Sequence, residues 1–183
     1  MADYNGSNPQ LIFDNQPYNL FYTDRLYFVW GECLYAYDGK INELGNVKSR
    51  YIFAYDNGHF VGITEDKSAA YFTDIDTLNE TELNIDGSDL QYDNGFIYFR
   101  EHNNNISRIE PKENNDAKTV VAYKSNQGAR LPYCVSENIV YYTEFDSDET
   151  GIIYCNNLET GEKSEISLNA GIVDFAVNGE SIY

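Results

Sequence analysis

The feature that most constrains this chain is a turn followed by an apolar, aromatic strand, which recurs five times. The five copies occupy residues 23–28, 57–61, 94–99, 137–142 and 178–183. The aligned positions, spaced 34, 37, 43 and 42 residues apart, are Leu26, Phe60, Ile97, Val140 and Ile182. A self-similar period of this length indicates one supersecondary unit repeated along the chain, because each unit must bury its apolar face against a neighbour.

Each copy predicts a tight hairpin with further strands after it. Asn-Gly at 57–58, 94–95 and 178–179 supplies two residues that tolerate positive φ, as a two-residue hairpin turn requires. Asp24 and Asn138 are weaker substitutes at the glycine position. A short strand precedes each turn, at 18–22, 51–55, 90–93, 131–135 and 173–177. A third strand follows the repeated one at 33–37, 69–75, 105–109 and 152–155, and a more polar fourth strand follows at 40–44, 80–83, 117–123 and 163–168. We name these strands A to D, from hub to rim, because four strands in about 40 residues is the blade of a β-propeller.

The predicted fold class is therefore all-β, a β-propeller of four-stranded antiparallel blades in a single domain over residues 1–183. The whole blades are predicted at about 18–45, 50–83, 88–124 and 129–168. Residues 1–14 predict strands C and D, and residues 170–183 predict strands A and B, so together the two ends form one split blade. Two interpretations stay open, namely a closed five-blade ring or an excerpt of a longer propeller.

Composition supports strands and restricts the kind of partner. The 17 Tyr and 10 Phe suit half-buried pleated surfaces. Thirty acidic and 12 basic residues give a net charge of −18, which disfavours nucleic acid and anionic membranes as partners. We expect a protein with basic patches or a glycan, and no membrane insertion, since no run approaches the ~18 apolar residues of a span. The alternative is that the acidic residues merely keep an exposed β-surface soluble.

Several segments carry a family resemblance: a turn, an Ile-Tyr-Tyr-like strand, a loop, a Leu-Tyr-like strand and an Asp-Gly turn. These segments are 2–12, 33–39, 94–99, 138–144 and 152–161. The pattern resembles bacterial β-propeller domains of unknown function that are similar to the propeller of low-density-lipoprotein receptor-related proteins. Residues 141–144, Tyr-Tyr-Thr-Glu, are a partial counterpart of that family's Tyr-Trp-Thr-Asp signature. The resemblance implies a propeller without assigned enzymatic activity, in secreted or surface-attached proteins.

No catalytic or metal-binding constellation stands out. Gly-x-Ser-x-Gly is absent, and His59 and His102, the only histidines, fall at opposite ends of strand B in their blades. The loop 146–151 resembles part of a calcium loop, but its position 12 is Asn157 instead of Glu. We therefore expect no enzyme, no cofactor and no metal.

The three cysteines predict free thiols. Cys134 falls on strand A and Cys155 on strand C of one blade, which separates them by two strand spacings of ~4.8 Å. A disulfide needs Cα atoms within about 7 Å, so these two residues are too far apart. Cys33 lies in a different blade. We expect all three to be semi-buried small apolar residues.

The loop face formed by the B–C and D–A connections is the predicted binding surface. The strand register places there the candidate binding residues Trp30, Arg100, His102 and Arg130, with Asp14, Gln16 and Arg50 nearby. Trp30, the only tryptophan, could stack on a sugar or anchor a partner. The alternatives are a tryptophan packed between blades and arginines in local salt bridges.

The expected function is a non-catalytic scaffold that recognises a protein or a polysaccharide through this loop face. The alternatives are a structural spacer without ligand and a propeller-fold lyase or glycoside hydrolase. An enzyme would place convergent polar residues at one repeat position. The residues aligned with Trp30 are Thr64, Glu101 and Glu144, and those aligned with Val29 are Ile63, Arg100 and Thr143. Glu101 and Glu144 alone do not make a mechanism. We expect a location outside the cell or on its surface if the chain is an excerpt, and in the cytoplasm if Met1 is the true start.

Overall fold

A computed structural model of the chain describes residues 19–22, 24–56, 58–112, 115–123, 131–144, 151–168, 171–172, 174–178 and 181–183. Regular secondary structure in these ranges is entirely β-strand. The chain forms two compact units, Met1–Glu80 and Thr81–Tyr183. Within the same ranges, no helix is long and apolar enough to span a membrane.

Four sheets of four strands follow one another along the chain, and each is built from consecutive antiparallel strands. The first sheet contains β1 (Asn19–Tyr22), β2 (Leu26–Trp30), β3 (Cys33–Tyr37) and β4 (Ile41–Asn46). The second contains β5 (Tyr51–Asp56), β6 (His59–Ile63), β7 (Ala70–Asp74) and β8 (Glu80–Leu83). The third contains β9 (Gly87–Asp93), β10 (Phe96–Glu101), β11 (Ile106–Ile109) and β12 (Lys118–Val121). The fourth contains β13 (Tyr133–Ser136), β14 (Ile139–Tyr142), β15 (Ile152–Asn157) and β16 (Lys163–Ser167).

A two-stranded sheet near the C-terminus pairs β17 (Val177–Asn178) with β18 (Ser181–Ile182). It corresponds to strands A and B of the predicted split blade, although strand A was expected at 173–177. The predicted strands in residues 1–14 lie outside the described residues. The four-stranded units predicted from the repeat are confirmed, and each runs in the order A to D.

The hairpin turns adopt the backbone conformation that the turn residues predict. Asn94 and Gly95 have φ of 47° and 83°, and Glu137 and Asn138 have φ of 52° and 64°. Two consecutive residues with positive φ match the right-handed twist of the flanking strands. Glu137 thus adopts a left-handed backbone conformation, which is uncommon for residues other than Gly, Asn and Asp.

An apolar core joins the two sheets of the first unit. It is formed by Phe21, Tyr27, Val29, Leu34, Ala36, Val47, Ile52, Phe60 and Ile75. The Phe21 ring is central, with centroids of Tyr27 at 5.3 Å, Tyr55 at 5.1 Å and Phe60 at 5.6 Å. Aromatic pairs in this distance range add stabilisation beyond the area that they bury.

Polar side chains join β9 to β13 in the second unit. The Gln91 amide donates to the Tyr133 carbonyl at 3.0 Å and accepts from the Val135 amide at 2.9 Å. The Asp93 carboxylate accepts from the backbone amides of Glu137 at 3.2 Å and Asn138 at 3.0 Å. Gln91 pairs with Tyr98 as Phe21 pairs with Tyr27, so an amide occupies the repeat position that carries a ring in the first sheet. These side chains thus supply hydrogen bonds between β9 and β13, which belong to different sheets and do not pair through their backbones.

The register of the fourth sheet confirms the predicted placement of two cysteines. Cys134 pairs with Tyr141, and Tyr141 pairs on its other side with Cys155, so one whole strand separates the thiols. Burial raises the pKa of both the Cys134 and the Cys155 thiols. Cys33 is partly exposed, and its thiol donates to Asn46 Oδ1 at 3.1 Å.

Thiol reactivity follows from this arrangement. A raised thiol pKa leaves less of the reactive thiolate at a given pH, so at pH 8 Cys134 and Cys155 should react with a disulfide reagent far more slowly than Cys33. In denaturant without reductant, three thiols per chain should titrate. Equally fast reaction of all three in the folded protein, or a count of one after denaturation, would contradict this arrangement.

Candidate functional site

Trp30 ends β2 at the loop face of the first unit. It pairs with Cys33 across the turn Gly31-Glu32, where Gly31 has φ of 59°. The Trp30 residue is 40% exposed, and its ring centroid lies 6.4 Å from that of Tyr35 on the neighbouring strand. The exposure favours an accessible indole over the alternative of a tryptophan packed between blades.

The turn after Trp30 contacts the connection between β4 and β5 through a backbone hydrogen bond and an ion pair. The Glu32 carbonyl accepts from the Val47 amide at 2.8 Å, and the Glu32 carboxylate lies 3.3 Å from Arg50 Nη2. Arg50 Nε lies 3.9 Å from a carboxylate oxygen of Glu65, in the turn between β6 and β7. The mostly buried Arg50 guanidinium therefore lies between carboxylates from two different turns.

The turn between β6 and β7 is fixed by the carboxylate of Asp66. Asp66 Oδ1 accepts from Thr64 Oγ1 at 2.6 Å, Ser68 Oγ at 2.8 Å and the Ser68 amide at 3.1 Å. These hydrogen bonds, the one from Thr64 first, lower the pKa of Asp66 to about 2. One carboxylate oxygen thus joins Thr64 and Ser68, the two ends of this turn.

The β4–β5 connection and the β6–β7 turn border an open groove of about 470 Å³ in the first unit. Its lining residues are Lys48, Arg50, Thr64, Glu65, Asp66 and Ser68. The Lys48 ammonium lies 4.6 Å from the Tyr71 ring centroid, a cation–π distance. We call these six residues with Trp30 and Glu32 the first loop site. It combines an aromatic ring with hydroxyls and charges of both signs.

Arg100 is placed differently from its predicted position on the loop face. It is at the predicted end of a B strand, but it is only 5% exposed. Its Nε lies 3.0 Å from Asp89 Oδ2, a terminal nitrogen donates to the Leu131 carbonyl, and the guanidinium lies 5.1 Å from the Tyr133 ring centroid. The alternative of a local salt bridge is the one observed. We call Arg100, Asp89 and Tyr133 the Arg100 cluster.

Asp89 supports this cluster from a left-handed backbone conformation with φ of 56°. Its carbonyl accepts a hydrogen bond from the Tyr133 hydroxyl, while its carboxylate pairs with Arg100. The β9–β10 register shifts between Tyr98 and Arg100, and this irregularity lies beside the pair. The cluster joins the third and fourth sheets and offers little surface to a ligand.

Of the predicted site residues not yet placed, the structure describes His102. His102 is exposed, with Nε2 2.8 Å from Asp86 Oδ1. Arg130, Asp14, Gln16 and residues 145–150 of the acidic loop lie outside the described residues. In the part of the chain that the structure describes, no group of three or more His, Cys, Asp or Glu side chains could hold a metal ion.

Sequence reasoning missed most of the groove. Arg50 was predicted near the loop face, but Lys48, Glu65, Asp66 and Ser68 were not. A signal was present in Thr64-Glu65-Asp66-Lys67-Ser68, because Thr, Asp and Ser at alternate positions favour a turn held by side-chain hydrogen bonds.

Comparisons with solved structures place the chain among β-propellers. It matches a WD40 domain, that of Neurospora crassa Pan2, with a TM-score of 0.55 and 10% identity, over 87% of this chain and 54% of that one. WD40 repeats form β-propellers. The computationally designed Ika8 protein matches with a TM-score of 0.58 and 16% identity, over 89% of this chain and 53% of that one. PorZ, a surface component of the type-IX secretion system of Porphyromonas gingivalis, matches with a TM-score of 0.51 and 13% identity, over 93% of this chain and 23% of that one.

These likenesses confirm the predicted fold class, a β-propeller of four-stranded antiparallel blades. The chain spans about half or less of the length of these three structures. No protein family and no curated protein sequence matches the chain.

Proposed function

We propose that the chain is a non-catalytic binding scaffold that recognises a protein partner through the first loop site. The observation that carries this proposal is a groove whose charged side chains are already held in place, together with an exposed Trp30 two residues before Glu32, which pairs with Arg50 of that groove. Tryptophan and arginine are the residue types most enriched at binding hot spots. Groups fixed before binding lose less conformational entropy when a partner docks.

A protein with a basic surface is the partner class that charge favours. The net charge of the chain is −18, and the first loop site itself holds three carboxylates against two cations. Long-range attraction would raise the association rate of a basic partner, and this effect would weaken with added salt. The alternative partner, a polysaccharide, would use Trp30 for stacking and would show little dependence on salt.

Two carboxyl groups of the first unit have lowered pKa values. Hydrogen bonds from Thr77 lower the pKa of Asp74, as those from Thr64 and Ser68 lower that of Asp66. A glycosidase general acid requires a raised carboxyl pKa, so both residues are poorly suited to that role. Neither residue is therefore a candidate general acid for the alternative function, a propeller-fold lyase or glycoside hydrolase.

We also propose a family relationship and a cellular location for this chain. We propose a relationship to the bacterial propeller domains similar to those of low-density-lipoprotein receptor-related proteins, with residues 138–144 on and after β14 as its support. The corresponding location is the outside of a bacterial cell or its surface. Fractionation of the producing organism into medium, cell surface and cell interior, followed by detection of the protein, would test the location.

Photo-crosslinking tests the site. A benzoylphenylalanine in place of Trp30 should form a covalent adduct with one protein from the producing organism. The control carries the same group in place of Leu168, which has a similar exposed fraction, 39%, and lies in the other unit. Identical adducts from both positions, or adducts only with polysaccharide, would contradict a protein-binding first loop site.

A further inference from the structure

Glu32 and Glu65 are the carboxylates that the first loop site leaves open to a partner. Their side chains are 78% and 66% exposed, whereas the side chain of Arg50 beside them is 11% exposed. The third carboxylate of the site, Asp66, already accepts hydrogen bonds from within its own turn. The cation of the Glu32–Arg50–Glu65 group is therefore mostly buried, and its two anions are accessible.

Arg50 leaves acceptor capacity on both glutamates. Its Nη2 lies 3.3 Å from Glu32 Oε1 and its Nε lies 3.9 Å from Glu65 Oε2, beyond the ~2.7–3.2 Å of ordinary N–H···O hydrogen bonds. An ionised carboxylate offers about four lone-pair sites. In the ranges that the structure describes, neither carboxylate has a second cation or a hydrogen-bond donor as a partner. The group thus sets one positive charge against two negative ones.

The backbone around both glutamates is held by hydrogen bonds. The Glu32 carbonyl accepts from the Val47 amide at 2.8 Å, which joins the first turn to the β4–β5 connection. Glu65 follows Thr64, whose amide donates to the Ala69 carbonyl at 3.0 Å and closes the second turn. Side chains on an ordered backbone lose less conformational entropy when a partner docks.

We propose that Glu32 and Glu65 together bind one basic side chain, Lys or Arg, of the protein partner at the first loop site. Hydrogen bonds between a cation and a carboxylate are roughly twice as strong as neutral ones. Arg50 is a positioning residue in this account, because it holds carboxylates from two separate turns beside one guanidinium. The inference rests on the proposed function and adds the side chains that select the partner.

A displayed peptide library supplies the probe. Random twelve-residue peptides on phage are selected against the immobilised full chain, and those that Trp30→Ala weakens are taken as first-loop-site peptides. Each should contain a Lys or Arg whose replacement by Met weakens binding to wild type at least ~10-fold, the loss of one charge-assisted hydrogen bond. Toward the variant Glu32→Gln/Glu65→Gln, the same replacement should change affinity by less than about twofold, because the pair is already lost.

The variant Glu159→Gln/Glu162→Gln is the matched control. It removes two exposed carboxylates from the second unit, so it changes the net charge by the same amount. Loss of Glu32 and Glu65 should raise the dissociation rate, whereas loss of distant charge acts on the association rate. Thermal melting verifies that both variants are folded, since exposed substitutions seldom change stability much.

Two results would overturn this inference alone: first-loop-site peptides without Lys or Arg, or a replacement by Met that weakens binding to wild type and to Glu32→Gln/Glu65→Gln equally. In both cases the dependence on Trp30 still supports the proposed function. If Trp30→Ala weakens none of the selected peptides, the proposed function fails and this inference fails with it.

Discussion

Replacing Arg100 with methionine lowers the free energy of unfolding by about 3–5 kcal/mol, the cost of removing one partner from a buried ion pair. Arg100 is 5% exposed, and its guanidinium is held by Asp89, by the Leu131 carbonyl and by the Tyr133 ring. Without it, the Asp89 carboxylate stays in place and loses its counter-charge. Urea denaturation followed by circular dichroism measures the loss.

The double variant Asp89→Asn/Arg100→Met is the matched control. Asparagine tolerates the positive φ of residue 89, and methionine fills the space with an uncharged side chain. Neutral residues occupy the aligned positions of the other three blades, namely Val29, Ile63 and Thr143. The double variant should regain at least half of the lost stability. A loss below about 1 kcal/mol in the single variant would show that the ion pair is not a structural element.

Replacing Gly87 with alanine destabilises the third sheet by about 3 kcal/mol, the upper end of the usual cost of overpacking. A Cβ at Gly87 would lie 2.3 Å from the Arg100 carbonyl oxygen and 2.7 Å from a ring carbon of Phe99. The nearest atom belongs to the backbone of the paired strand, so a side-chain rotation cannot relieve the clash. Thermal and urea denaturation measure the effect.

Gly161→Ala provides the comparison for Gly87. A Cβ at Gly161 meets nothing within 4 Å, but its φ of 74° favours glycine, so alanine there costs about 1–2 kcal/mol. The expected order is a larger loss at residue 87 than at residue 161. The reverse order, or equal losses, would mean that β9 can move away from β10.

The repeat predicted the strands well because alternation is a local signal. The predicted bounds of β3 (Cys33–Tyr37) and β8 (Glu80–Leu83) match the structure residue for residue. In β3 every second residue is buried, as the pattern of its side chains predicts. The start of β9 was placed at Leu90, three residues late. The reason is the register shift beside Arg100, which lets Gly87 and Ser88 pair with the end of β10.

The candidate site was predictable only in part. Trp30 was placed correctly at the end of a B strand, since turn and strand lengths fix that position. The burial of Arg100 was not predictable, because Leu131 and Tyr133 lie some thirty residues further along the chain. The burial and ion pairs of Arg50 were not predictable either, because its two partners, Glu32 and Glu65, lie in separate turns. Contacts between loops of successive blades depend on tertiary structure, which local patterns do not encode.

The most direct test of the first loop site is the dissociation constant of the partner captured at residue 30. It is measured with wild type, Trp30→Ala and Leu168→Ala, all shown to be folded. A hot-spot tryptophan contributes at least ~2 kcal/mol, so Trp30→Ala should weaken binding about 30-fold, while Leu168→Ala should match wild type. Affinities of wild type and Trp30→Ala within about twofold of each other would contradict a binding scaffold that works through this site.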